Sequence, residues 1–132
     1  HGLRAAGEAF MKSESFERGL ATRREVLGKQ YVDDSISKAD DFNLPMQELV
    51  TEYCWDRVWN RPGLERKTRS MINIAMLTAL NRPHELKLHI KGAIRNGVSR
   101  DEIREILLQT AIYCGVPAAI DSFRIAREAL AE

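Results

Sequence analysis

The sequence predicts an all-α protein, and three observations predict it. Apolar residues recur at three- and four-residue spacing, sustained apolar/polar alternation bounded by Asn-Gly or Asp-Gly turns is absent, and Pro, Gly and Ser stand where helices start and stop. A chain of 132 residues suits one domain with its own hydrophobic core and is short for two. The expected architecture is a single helical-bundle domain, residues 1–132, of about six helices.

The first amphipathic segment covers residues 14–27 and is stopped by Gly28. The polar stretch 33–43 is expected to hold a turn and a short helix. A longer helix follows Pro45, runs through "MQELVTEYCWDRVW" and ends before the turn-type string "NRPG" at residues 60–63. The next helix begins near Glu65 and is apolar almost all round over residues 71–80, the pattern of a central helix covered on every side. Pro83 suits the first turn of the following helix, Asn81 is a candidate cap for it, and Gly97 supplies a left-handed stop. "SRDE" at residues 99–102 has the Ser-x-x-Glu spacing of a capping box. It opens a helix whose stripe is Ile103, Ile106, Leu107, Thr110 and Ala111. The last helix starts near Pro117 and carries Ile120, Phe123, Ile125, Ala126 and Leu130.

The balance of 20 basic against 19 acidic residues creates no field that would draw nucleic acid or an anionic membrane surface. The most apolar run, residues 71–80, is about half of what a bilayer span requires, and no signal-type segment opens the chain. A cytoplasmic protein is the expectation. Cys54 and Cys114 have neither metal-ligand spacing nor a C-x-x-C arrangement and read as buried thiols; no metal site is expected. The chain opens on His1-Gly2 without methionine, as an added segment would, so His1 is set aside.

The two remaining histidines lie together in "ALNRPHELKLHIKGAIRNG", residues 79–97. Leu86, Ile90, Ala93 and Ile94 line the core side of that helix. His89 falls on the same side, with Glu85 one turn before it to favour the imidazolium and orient the ring. His84 lies in the first turn, beside free N–H groups that favour an anion, and Arg82 and Arg69 can add positive charge. Two readings stand at this point: a core histidine satisfied by Glu85 with solvated arginines around it, or an anion site. Tyr53, Trp55 and Trp59, at helical spacing, are either core or contact residues or the walls of a pocket.

From residue 52 to residue 130 the chain resembles the γ-carboxymuconolactone decarboxylases of bacterial protocatechuate (β-ketoadipate pathway) breakdown. "LTALNRPHELKLH" and "AIYCGVPAA" carry the resemblance, and "YVDDSISKADDFNLPMQELV" at residues 31–50 extends it. The resemblance implies an alkylhydroperoxidase D-like helical fold assembled as a homo-oligomer, trimer or hexamer. It also implies decarboxylation of a small dicarboxylate lactone to an enol-lactone without cofactor, since the substrate's own carbonyl is the electron sink. In that chemistry His89, positioned by Glu85, would deliver the proton, and His84 would face the enolate oxygen. Arg82 or Arg69 would grip a carboxylate, with Asn81, Tyr53 and Trp55 completing the pocket. Decarboxylases of this kind also occur fused to an enol-lactone hydrolase.

Laid on the thiol peroxidases of the wider superfamily, this chain keeps both histidines. The two cysteines fall at Arg82 and Glu85 and the acid at Ser70. Without a thiolate nucleophile that activity is argued against. The rivals left open are a related decarboxylase or isomerase acting on another carboxylated lactone or enolisable acid, and a non-catalytic helical oligomer.

Overall fold

A computed structural model of the chain describes residues 13–132; His1 and Gly2 lie outside the described residues. These form seven α-helices and one π-helical segment, with no strand among them. They fall into two compact units, one ending at Gly63 and the other spanning Leu64–Glu132.

The first unit begins with α1 (Glu14–Leu27), where the Ser13 hydroxyl accepts from the Phe16 N–H at 3.1 Å. Gly28, at φ 95°, ends it as the sequence predicts. The chain re-enters a helix at once as α2 (Lys29–Ser37), earlier than the polar composition of residues 33–43 indicates. Two i,i+4 pairs support this exposed helix, Lys29 with Asp33 at 2.6 Å and Gln30 with Asp34 at 2.9 Å.

After a turn, α3 (Leu44–Leu49) passes directly into the π-helical segment Val50–Val58, where one continuous α-helix is expected from sequence. The i→i+5 bonding shows at its end, where the Trp59 N–H donates to the Cys54 carbonyl at 3.0 Å. The segment packs closely on α1. At Gly19 a Cβ atom would lie 1.9 Å from the Thr51 carbonyl oxygen, so only glycine permits this approach. Asp56 locks the same interface. It accepts from Ser15 at 2.8 Å, Arg18 at 3.2 Å and Asn60 at 3.1 Å, and these bonds, against the opposing effect of burial, hold its carboxyl below the usual range.

The second unit is a four-helix bundle of α4 (Arg66–Ala79), α5 (Pro83–Arg95), α6 (Arg100–Tyr113) and α7 (Val116–Ala131). Helices α4 and α5 pack together, as do α6 and α7, and α5–α7 and α4–α6 contacts close the bundle. Ile74, Leu86, Ile90, Ile103, Leu107 and Ile125 fill its centre. The capping box is formed as predicted: Glu102 N–H donates to the Ser99 hydroxyl at 3.0 Å, and Ser99 N–H to the Glu102 carboxylate at 2.9 Å. Gly97, at φ 91°, closes α5, with Val98 N–H reaching back to the Ala93 carbonyl.

Three expectations are corrected in this unit. Helix α4 is not covered on every side. Ser70, Ile74 and Thr78 face inward, while the row Ile72, Met76 and Leu80 is 41%, 47% and 64% exposed. Ile94, assigned to the core side, is also exposed, because its position lies at the margin of the buried arc of α5. Asn81 does not cap α5. It takes φ 58° as the left-handed residue ending α4, with Arg82 N–H bonded to Leu77 O and Asn81 N–H to Thr78 O in a Schellman arrangement.

Among the described residues no helix is long and apolar enough to cross a membrane.

Candidate active site

The candidate site is built on the α4–α5 hairpin. Pro83, with no N–H to lose and φ already suited, starts α5, and no side chain caps that helix. His84 stands exposed in its first turn, beside main-chain N–H groups left open. His89 follows five residues later, about 140° further round and about 7.5 Å further along the axis, so the two rings leave α5 in different directions.

His89 is half-buried against α4, where the Asn73 side-chain nitrogen comes within 3.5 Å of its Nδ1. That distance is long for a hydrogen bond, so Asn73 orients the ring weakly. Burial pushes the His89 pKa down to about 4, outweighing the charge of Glu85, which raises it. Glu85 favours the imidazolium as expected, but the opposing effect of burial is larger, so at neutral pH the ring is uncharged. Glu85 itself is exposed on the turn before.

Arg69 is half-buried on α4, one turn before Asn73 and on the same helix face. Arg82 and Asn81 are exposed in the tight connection at the other end of the hairpin. The fold thus brings His89 and Asn73 together, with Arg69 one turn away from Asn73 along α4, and leaves His84, Arg82 and Asn81 at the turn.

Tyr53 and Trp55 belong to the first unit. Trp55 is buried and stacks on Trp59, with ring centroids 4.9 Å apart and planes at 21°, whereas Tyr53 is half-exposed beneath the Arg57 guanidinium at 4.6 Å.

Asn73 escapes a sequence reading organised by charge and histidine. Its signal is that it is the single carboxamide inside the apolar run of residues 71–80. Ser70, where the resemblance sets the peroxidase acid, is fully buried and accepts a hydrogen bond from the Asn96 side chain at 2.9 Å. Of the cysteines, Cys114 is exposed, contrary to expectation, because it lies at the end of α6 beyond the last inward position, Thr110. Cys54 is half-buried, and burial raises its thiol pKa, against the pull of Trp59 and Arg23, which disfavours a reactive thiolate.

A groove of about 670 Å³ among the described residues runs along α4 and α6 and contains none of the predicted site residues. Asp101, Glu102 and Glu105 line it with Met71, Ile106 and Tyr113, and no basic residue does. A carboxylate ligand would be repelled there, so charge outweighs size and the α4–α5 hairpin remains the candidate. Among the described residues no group of three or more His, Cys, Asp or Glu side chains is placed to hold a metal ion.

The sequence profile of the carboxymuconolactone decarboxylase family matches residues 45–128. A 4-carboxymuconolactone decarboxylase of Acinetobacter baylyi is 40% identical over 115 residues, covering 87% of this chain and 86% of the relative. Nitrosuccinic acid decarboxylase npaB of Metarhizium robertsii is 42% identical over 115 residues, covering 87% and 80%. A 4-carboxymuconolactone decarboxylase of Pseudomonas putida is 37% identical over 46 residues, 34% of this chain and 96% of that shorter sequence.

Proposed function

The chain belongs to the carboxymuconolactone decarboxylase family, and from that premise we propose that it decarboxylates 4-carboxymuconolactone to 3-oxoadipate enol-lactone and CO2, in a cytoplasmic aromatic-degradation pathway. The observation that carries this reading is the 40% identity with the Acinetobacter enzyme across 87% of the chain.

In this substrate one ring carbon, next to the ring oxygen, bears both the carboxylate that leaves and the acetate arm. Loss of CO2 sends the electron pair through the ring double bond into the lactone carbonyl, and protonation next to the carbonyl completes the reaction. The protein has to hold the acetate arm, stabilise the enolate oxygen and deliver one proton.

His89 is assigned the proton. Burial holds the ring neutral, and the substrate changes that. A carboxylate about 4 Å from the ring is worth about 4 kcal/mol at the effective dielectric near a protein surface, enough to bring a pKa of about 4 back to about 7. The imidazolium then forms only beside the dianion it serves, with Glu85 adding in the same direction. Arg69 or Arg82 grips the acetate arm with its planar fork, and His84 with the open N–H groups of α5 faces the enolate oxygen. The departing carboxylate is left without a cation, since pairing it would stabilise the ground state over CO2.

This account predicts proton uptake. Succinate has the two carboxylates but no electron sink. Its binding at pH 6 is expected to take up most of one proton per chain, measured calorimetrically in buffers of different ionisation enthalpy, with the uptake lost in His89→Gln. Binding with no uptake would remove His89 as the proton carrier.

The 42% identity to a nitrosuccinic acid decarboxylase favours a second reading. Nitrosuccinic acid has the same two-carbon dicarboxylate frame, with a nitro group as the sink, so the same fork and proton donor would serve it. Which of the two compounds releases CO2 at the higher kcat/KM separates the readings.

We also place the working form as a homo-oligomer. The rows Ile72, Met76, Leu80 and Ile112, Tyr113, Val116, Ile120 are exposed apolar surface of the kind that subunit contacts cover.

A further inference from the structure

The first unit holds a charged group that the reaction above does not use. Arg23 sits near the end of α1, more than nine-tenths buried, at 7% exposure. A buried guanidinium ordinarily faces a carboxylate, because a desolvated charge is tolerated when it is paired. Arg23 has no ion pair among the described residues. Its Nη1 donates to two neutral oxygens, Gln47 Oε1 at 2.8 Å and Thr51 Oγ1 at 3.4 Å, the second contact being long. Its Nε is buried without a hydrogen-bond partner.

We propose that Arg23 is a carboxylate-binding residue of the first unit, with Gln47 and Thr51 holding one end of the guanidinium and the Nε edge left for the ligand. The edge of an arginine that carries Nε is the one that meets a carboxylate side-on, through two parallel N–H···O bonds. Tying Nη1 to an amide and a hydroxyl fixes the plane of the fork without neutralising it. The ionisable neighbours that act on Arg23 are Tyr31 and Cys54, and neither is a carboxylate. One positive charge therefore awaits one negative charge. This favours a planar monoanionic carboxylate over phosphate, whose charge of about −1.5 to −2 and tetrahedral shape fit neither the balance nor the fork. Burial also draws the Arg23 pKa below that of a free guanidinium, so an anion beside it relieves a penalty already present.

The π-helical winding contributes to the arrangement. Thr51 belongs to that segment and Gln47 to the α-helical turn before it, so the junction between the two windings faces the guanidinium. Breaks of this kind inside helices are frequent at functional sites.

The proposal does not depend on the reaction assigned to His89, because it is read by binding without turnover. The arginine Nε–H resonances of the whole chain are followed by NMR during titration with acetate at constant ionic strength, Arg23 being assigned by its loss in Arg23→Lys. A saturable shift of the Arg23 resonance is expected. A rise in Tm with acetate is expected in the wild type, with apparent affinity at least about tenfold weaker in Arg23→Lys, which keeps the charge and loses the fork. An Arg23 resonance unmoved by acetate overturns the proposal, as does a Tm rise of equal size in folded Arg23→Lys. Inorganic phosphate binding more tightly than acetate at Arg23 overturns the assignment to carboxylates. If Arg23→Lys does not fold, the wild-type titration still decides, with assignment through the scalar-coupled backbone. A decarboxylase inactive on both named substrates would leave these results unchanged.

Discussion

Replacing His89 by glutamine is expected to leave the four-helix bundle folded and to lower turnover by about two to four powers of ten, the range associated with loss of a positioned proton donor. Glutamine is chosen because it fills a similar volume at a half-buried position and can still meet the Asn73 side chain. The core neighbours Leu86, Ile90 and Ala93 are untouched. Turnover is the readout, with circular dichroism and Tm as controls. KM is expected to change much less than kcat, since the proposed mechanism gives the acetate arm to an arginine. Near-normal turnover in a folded variant would remove His89 from the chemistry.

The second large effect is structural. Gly19→Ala in α1 is expected to destabilise the first unit by about 3 kcal/mol or more, seen as a lower denaturation midpoint. In an exposed helix interior the same change normally stabilises by about 1 kcal/mol. Here the sign reverses because the new methyl group would lie 1.9 Å from the Thr51 carbonyl oxygen and 2.9 Å from its carbon, both main-chain atoms that cannot rotate away. Relief requires the π-helical segment to move off α1, which stretches the Asp56 bonds to Ser15 and Arg18. An unchanged or higher midpoint would show that the two helices do not approach as closely as described. Thr51 also contacts Arg23, so the variant should weaken acetate binding as well.

Signals that act through one or two local bonds were legible in the sequence. Ser99 and Glu102, Gly28, Gly97 and Pro83 each fix a helix end by a cap, a positive φ or a missing donor, and each stands where those rules place it. The π winding over Val50–Val58 was not legible, because nothing in "VTEYCWDRV" distinguishes it from an α-helix. What accompanies it in the fold is contact with Gly19, some 30 residues away. Asn81 was misplaced because asparagine serves both helix starts and left-handed helix ends, and only its φ of 58° decides. The apolar run of residues 71–80 looks buried because hydropathy alone does not say whether the cover comes from the same chain.

The candidate site divides in the same way. The histidine pair, Glu85 and the arginines could be found from residue type and spacing, but the charge state of His89 could not. Glu85 at i−4 points toward an imidazolium, and the opposing effect of burial depends on how α4 lies over the ring. Asn73 and Arg23 are single polar residues among apolar or amphipathic neighbours. Their roles emerge only when the fold sets one against His89 and leaves the other without an anion.

The most direct test of the central claim is CO2 release and ultraviolet change when the purified chain meets enzymatically prepared 4-carboxymuconolactone, with EDTA present and no cofactor added, and nitrosuccinate run in parallel. Stoichiometric CO2 release from the lactone, at a kcat/KM above that for nitrosuccinate and slowed by about two to four powers of ten in His89→Gln, is the predicted result. No release from either dicarboxylate by a folded protein would contradict the assignment.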